Sequence, residues 1–234
     1  MARKSHAVRY PRQVAQLTFQ RARTDEKKRQ RAAAIVEAAR SLAVESGVTS
    51  VTLTAVANRA GVHYSAVRRY FSSHKEVLLH LAAEGWTRWS ATVCAALAEP
   101  GPGSPARVAE SLVHGLVDDP LFCDLLANQH LHLEHEVDVE RVAEVKQISN
   151  VAVMSIAESI ERTLPEIGRK GSLDILVAGF SLAAMLWQIA HPPEGLEHDY
   201  RSEPGVPPDW SLDFEPALTR LLTATCIGIV EQKH

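Results

Sequence analysis

Apolar positions recur at helical spacing along almost the whole chain, and no run alternates strictly between apolar and polar residues as a half-buried strand would. The pattern predicts a first helix from about Asp25 to Ser46 and a long fourth helix from Ser73 to about Leu97. Between them, two short helices are predicted within Val51–Phe71. Later helices are predicted at about 106–117, 120–131, 138–163, 173–190 (with Ser172 as the expected cap) and 216–231. The predicted fold class is therefore all-α.

The two short helices are separated by Gly61, at a place where a left-handed backbone costs glycine little. Thr52 is the expected N-cap of the first short helix, while Val62 and Val67 would pack inward from the second. The second helix leaves polar and aromatic side chains exposed: His63, Tyr64, Ser65, Arg68 and Arg69. A short helix with such a face has the geometry of a helix-turn-helix motif that reads the DNA major groove.

Positive charge is concentrated in the N-terminal third of the chain. Residues 1–80 carry 15 Lys and Arg against 5 Asp and Glu, a net charge of +10, whereas residues 81–234 carry a net charge of −13. This asymmetry is the electrostatic footprint of a protein that contacts phosphates. Residues 1–24 form a basic leader, broken by Pro11, that we expect to be flexible when free. Its arginines are candidates either for the minor groove or for a solubilising tail.

Over residues 25–80 the chain resembles the TetR family of transcriptional regulators. The residues that carry the resemblance form an ordered set: Ile35, Ala38, Ala39, Gly47, Thr52, Leu53, Val56, Ala57, Ala60, Gly61, Val62, Tyr70, Phe71, Ser73, Lys75, Glu76, Leu78 and Leu79. The resemblance implies a three-helix DNA-binding domain over 25–75 and a larger helical domain over 76–234 that binds a small effector and dimerises. It further implies a repressor that an apolar effector releases from a palindromic operator.

Base and phosphate contacts are assigned within the helix-turn-helix. Tyr64 and Ser65 are the predicted base-edge contacts, and helical spacing lets only one of Arg68 and Arg69 face the groove squarely. Phosphate contacts are expected at Thr52, Tyr70 and Lys75.

Three positions depart from the family pattern. Arg68 stands where the family commonly has an aromatic residue, two positions before Tyr70. His63 stands where the family often has a Ser or Thr cap for the recognition helix, and it is a weaker cap. The family's phosphate-contacting lysine maps either to His74 or to Lys75, because the usual Ser-Lys-Glu reads here as Ser-His-Lys-Glu.

The helix predicted at 173–190 is apolar around most of its circumference and only just long enough to cross a membrane. Its polar residues Asp174, Ser181 and Gln188 fall on one narrow stripe, so we interpret it as a helix buried on two sides. Paired with 216–231, it would leave apolar faces that a second copy covers in a four-helix bundle, with Gly179, Ala183 and Gly228 allowing close approach. A purely intrachain core is the alternative.

The expected effector pocket would be lined by Trp86, Trp89, Phe122, Met154 and Trp187, although each of these alone is also a plain core residue. A cluster of histidines and glutamates spans His130–Glu136, where His132 and Glu136 would be one helical turn apart. Its spacing matches no zinc motif, so we interpret it as a solvated helix end and predict no metal or cofactor.

Three widely spaced cysteines in apolar contexts, Cys94, Cys123 and Cys226, indicate buried thiols of a cytoplasmic protein, and no signal peptide is evident. No phosphate-binding glycine loop, nucleophile elbow or zinc signature is present, which disfavours an enzyme. A non-specific nucleic-acid binder that acts through the basic leader remains the alternative to a site-specific regulator.

Overall fold

The structure, a computed structural model, describes residues 12–192 and 212–232, with side chains from residue 26 onward. Every regular element in these ranges is helical, which confirms the predicted all-α class. The α-helices are α1 (Arg12–Ser46), α2 (Leu53–Arg59), α3 (Tyr64–Val67), α4 (His74–Ala98), α5 (Pro105–Val117), α6 (Pro120–Asn128), α7 (Val139–Thr163), α8 (Gly168–Ala190) and α9 (Phe214–Glu231). Short 3-10 turns lie at Val48–Ser50 and Pro165–Ile167, and a π-helical turn lies at Gln129–Leu133.

Side-chain caps determine where several helices begin. Thr52 Oγ1 accepts from the Ala55 amide at 3.2 Å and starts α2, as predicted. Ser104 and Asp119 cap α5 and α6 in the same way, each followed by a proline at the first helical position. Proline has no N–H to leave unpaired there, so the cap and the proline together stop any helix from continuing through these points.

Two predicted helix starts are wrong. Helix α1 begins at Arg12 instead of near Asp25, because residues 12–24 contain no glycine or proline and are mostly good helix formers. Helix α8 begins at Gly168, and Ser172 does not cap it: the buried Ser172 hydroxyl donates to the Gly168 carbonyl at 2.9 Å. The start of the basic leader, residues 1–11, and a segment with several prolines, residues 193–211, lie outside the described residues.

Two hydrophobic cores meet along α4 and α6. The first joins α1–α3 to the start of α4, and it also receives Leu121 and Leu125 from α6. The second joins α4–α9, and it receives Phe122 and Leu126 from α6. Helix α6 thus lies between the two cores with a different face toward each.

Helices α8 and α9 pack on each other and leave apolar side chains on their outer faces: Val177, Met185, Ile189, Leu221 and Ile227. By length and composition alone, Pro165–Ala190 could cross a membrane. Only 22% of its most apolar window is buried inside the protein, so contacts among the described residues do not supply the predicted burial on two sides. The outer faces therefore lack a covering partner among the described residues.

The thiols of Cys123 and Cys226 are fully buried, whereas Cys94 is half-buried. Burial, reinforced by the nearby Asp119 and Asp124 carboxylates, raises the pKa of Cys123 to about 12. Burial likewise raises the pKa of Cys226 to about 11. Neither thiol forms the reactive thiolate near neutral pH, which agrees with the predicted structural role.

Candidate nucleic-acid interface

The turn between α2 and α3 depends on the backbone of Gly61. Its φ of 65° lies in the left-handed region, and a Cβ built there would meet no atom within 4 Å. The requirement for glycine is therefore conformational and not steric. The Val62 amide donates to the Ala57 carbonyl at 3.0 Å, which closes the end of α2 and turns the chain toward α3.

His63 is the N-cap of α3. Its Nδ1 accepts from the Ser65 amide at 3.2 Å and lies 2.9 Å from Ser65 Oγ. Because Nδ1 accepts the amide proton, a neutral His63 carries its own proton on Nε2, which leaves that N–H as an exposed donor. The ring thus caps the helix and still presents a polar edge at the same surface.

The exposed face of α3 carries the side chains predicted to contact DNA. Tyr64 is 44% exposed, Ser65 is exposed beside it, and Val67 is fully buried beneath them. The Arg68 guanidinium donates to the Ser72 carbonyl, whereas the Arg69 guanidinium has no partner among the described residues. Of the two arginines, Arg69 is therefore the one with all of its donors available.

Helix α4 begins with one half of a capping box. Ser73 Oγ accepts from the Glu76 amide at 3.2 Å, as expected. The Glu76 carboxylate instead accepts from the amide and hydroxyl of Ser72, at 2.6 and 2.8 Å, and from Arg141 of α7 at 3.0 Å. The last contact ties the first turn of α4 to α7.

Lys75, a predicted phosphate contact, is engaged within the protein. Its Nζ lies 2.9 Å from Glu136 Oε2 and donates to the His135 carbonyl at 3.2 Å. The hydrogen bond from Lys75 lowers the pKa of the Glu136 carboxyl. The alternative candidate, His74, is half-buried, and burial together with the charge on Lys75 lowers its pKa.

Three of the five predicted pocket residues lie together. Trp86 packs edge-on against Trp89 and Phe122, with ring centroids 5.6 and 5.4 Å apart, and against Phe180 at 5.7 Å. Trp86 Nε1 donates to the buried amide oxygen of Gln129 at 3.1 Å. No local pattern points to Phe180 and Gln129, because α8 and the π turn approach Trp86 only through long-range packing.

The other two predicted pocket residues lie elsewhere. Met154 is exposed on the outer face of α7, where its sulfur accepts from Arg169 at 3.4 Å. It cannot join the aromatic cluster because Ala152 and Ile156 face the core, and a helix turns residue 154 to the opposite side. Trp187 stacks on His191 at 3.7 Å and meets Phe214 edge-on at 5.2 Å, near the end of α8.

The His130–Glu136 segment is a polar network, and the expected helical pairing of His132 with Glu136 is wrong. The π turn ends at Leu133 and Glu136 has a left-handed φ of 63°, so the two are not one α-helical turn apart. Although burial opposes it, hydrogen bonds from Lys146, Gln129 and His130 lower the pKa of the Glu134 carboxyl. Among the described residues, no three His, Cys, Asp or Glu side chains converge as metal ligands.

Asp124 joins three parts of the fold. Its Oδ2 accepts from the backbone amide of Val48 in the DNA-binding domain at 2.8 Å. Its Oδ1 accepts from Gln188 of α8 and from Asn128 of α6, both at 3.1 Å. No local pattern singles out this aspartate, since its partners Val48 and Gln188 are 76 and 64 residues away.

A short exposed helix behind a glycine turn, in the basic end of an all-helical chain, defines the class of helix-turn-helix DNA-binding regulators. Residues 35–81 match the model for bacterial regulatory proteins of the tetR family, and residues 83–233 match the tetracyclin repressor-like C-terminal domain. The chain belongs to the TetR family. It is accordingly a DNA-binding transcriptional regulator and not an enzyme.

Solved structures share the fold at low sequence identity. A TetR/AcrR-family transcriptional regulator from Thermobifida fusca YX-ER1 is 17% identical, with 83% of this chain and 97% of that chain covered and a TM-score of 0.50. A Pseudomonas aeruginosa PAO1 protein assigned as a transcriptional regulator is 16% identical, with 87% and 92% covered and a TM-score of 0.52. No curated protein sequence matches the chain.

Proposed function

We propose that this protein is a cytoplasmic repressor that binds a palindromic operator as a homodimer and leaves it when an apolar small molecule binds the larger domain. The observation that carries the proposal is the α3 face, where Tyr64, Ser65 and Arg69 are exposed above the buried Val67. Tyr64 and Ser65 read base edges, and Arg69 donates to a guanine or a phosphate. Thr52, Tyr70 and Lys75 hold the DNA backbone.

Dimerisation would use the outer faces of α8 and α9. Their exposed apolar residues include Val177, Met185 and Ile227, and a Cβ at Gly228 would meet no atom within 4 Å, which leaves room for a partner backbone. Gly179 and Ala183 do not serve this purpose, because both are buried and Gly179 faces Leu222 of the same chain. A two-fold dimer would set two α3 helices roughly 34–36 Å apart, one turn of DNA.

The effector would bind at the aromatic cluster of Trp86, Trp89, Phe122 and Phe180. This cluster borders α6, which also reaches the DNA-binding domain through Asp124. A ligand that displaces Phe122 would favour an arrangement in which the two α3 helices no longer match adjacent grooves. It can do so only by binding that arrangement more tightly than the DNA-bound one.

The test is binding of the full-length protein to its own upstream DNA, at several salt concentrations and against scrambled competitor. Tyr64→Ala and Arg69→Ala remove exposed α3 side chains, while Arg31→Ala removes an exposed α1 arginine and is the control. We expect the α3 variants to lose discrimination between specific and scrambled DNA and the control to keep it. Equal, salt-dependent affinity of all four proteins for both DNAs would instead assign binding to the basic leader.

A further inference from the structure

Two ion pairs hold the first turn of α4. One connects it to the segment just before α7, and the other connects it to the first turn of α7. Lys75 pairs with Glu136 at 2.9 Å, and the next residue, Glu76, pairs with Arg141 at 3.0 Å. Lys75 uses a second of its three donors on the His135 carbonyl. Its side chain is only 21% exposed as a result. The lysine that would contact DNA is thus bound by two groups of the larger domain.

Glu136 is the one non-glycine residue in the described ranges with a left-handed φ. Its side chain is 83% exposed, so core packing does not explain a glutamate in a conformation better suited to Gly or Asn. The contact that the carboxylate does make is the pair with Lys75. The left-handed backbone at Glu136 therefore occurs together with a carboxylate that reaches Lys75.

A DNA phosphate bound by Lys75 would have the same electrostatic environment as the Glu136 carboxylate. Both are anions, both would pair with the Lys75 ammonium, and both benefit from the positive end of the long helix α4. We propose that Glu136 is an intramolecular substitute for a DNA phosphate, which Lys75 must release before it can bind the operator backbone. This inference rests on the proposed function.

The position of Glu136 also connects this contact to the interior of the larger domain. Only a few residues separate it from Gln129, which accepts the hydrogen bond of Trp86, and from Glu134, which is held by Lys146 at 2.8 Å. Whatever strengthens the Lys75–Glu136 pair weakens DNA binding, and DNA in turn weakens the pair. Glu136 thereby sets operator affinity from outside the DNA-binding domain.

A double-mutant cycle tests this in the full-length protein. The affinity of wild type, Glu136→Gln, Lys75→Met and the double variant is measured by anisotropy on a labelled duplex of the upstream DNA and on a random duplex. Glu140→Gln is the control, because it removes the same charge from an exposed glutamate four residues away. Lys75→Gln replaces Lys75→Met if thermal unfolding shows that the latter is unfolded.

We expect Glu136→Gln to tighten binding to both duplexes by about two- to fivefold per subunit, the range for releasing an exposed ion pair. It should change nothing when Lys75 is absent, and Glu140→Gln should leave affinity unchanged. Removing Lys75 from Glu136→Gln should lower the slope of log affinity against log salt by about 0.9 per subunit, as expected for one phosphate contact.

Equal tightening with and without Lys75, or equal tightening by Glu140→Gln, would overturn the inference, since Glu136 would then act only as a nearby negative charge. No tightening by Glu136→Gln would also overturn it while leaving the proposed function intact. Failure of wild type to bind either duplex would overturn both, and the same titration separates the two cases.

Discussion

The Asp124 carboxylate of α6 accepts a hydrogen bond from the Val48 backbone amide at 2.8 Å, and this bond joins the larger domain to the turn that follows α1. Gln188 of α8 donates to the other oxygen of the same carboxylate. One side chain therefore links the DNA-binding domain to a helix of the proposed dimer interface. The hydrophobic contacts of Leu121 and Leu125 with the first core surround this link.

Asp124→Ala leaves the half-buried Val48 amide without its acceptor. We expect a loss of about 1–3 kcal/mol in the free energy of unfolding, since an unsatisfied donor is left behind. Faster hydrogen exchange at the Val48 amide should accompany the loss. Asp118→Ala, which removes an exposed aspartate at the end of α5, should leave both measurements unchanged. Unaltered exchange at Val48 in Asp124→Ala would show that the bond does not hold the two domains together.

Gly85→Ala should disrupt the aromatic cluster. A Cβ at this position would lie 2.2 Å from the Phe122 ring, which is itself packed between Trp86 and Trp89. Overpacking of this kind destabilises by about 1–3 kcal/mol, and urea unfolding measures it. Gly179→Ala adds only an ordinary contact, 3.8 Å from Leu222, and improves helix propensity, so it is the matched control. Equal free energies of unfolding for the two variants would show that the Phe122 ring can move away from the added Cβ.

Val177→Glu and Ile227→Glu place charges on the outer faces of α8 and α9. If these faces form the dimer, each charge would be buried without a partner, and sedimentation equilibrium should detect monomers. Val44→Glu changes another exposed apolar residue, on α1, and should leave the oligomeric state as it is in wild type. A dimer that persists in both variants would move the interface to another surface.

Stability should fall in acid partly through Glu134. Its pKa is lowered in the folded state from a usual value of 4.5, so the folded form binds this proton less readily than the unfolded chain. Glu134 therefore stabilises the folded state above about pH 4.5. This stabilisation is lost as pH falls through the lower pKa that Glu134 has in the folded state. Melting temperatures from pH 7 to 3 should show a smaller acid decrease in Glu134→Gln than in wild type. An identical decrease would contradict this role for Glu134.

Local signals in the sequence were sufficient for most of the fold. The helix spacing, the Thr52 and Ser73 caps and the glycine turn at Gly61 each depend on a few neighbouring residues, and the structure confirms them. The exposed residues of α3 followed from the same spacing. The start of α1 at Arg12 was missed because composition and charge suggested a flexible leader where the residues are also good helix formers.

Residue partners across the chain were decided only by the tertiary structure. Periodicity cannot tell which apolar residue of α7 meets α4, so the sequence predicts Met154 beside Trp86, whereas it lies on the outer face of α7 and lines a surface groove there. The bonds from Asp124 to Val48 and from Lys75 to Glu136 span more than fifty residues and have no local pattern. The sequence by itself determined an all-helical chain with a DNA-reading motif, because those features arise from near neighbours. Packing alone determined how that motif is held to the larger domain.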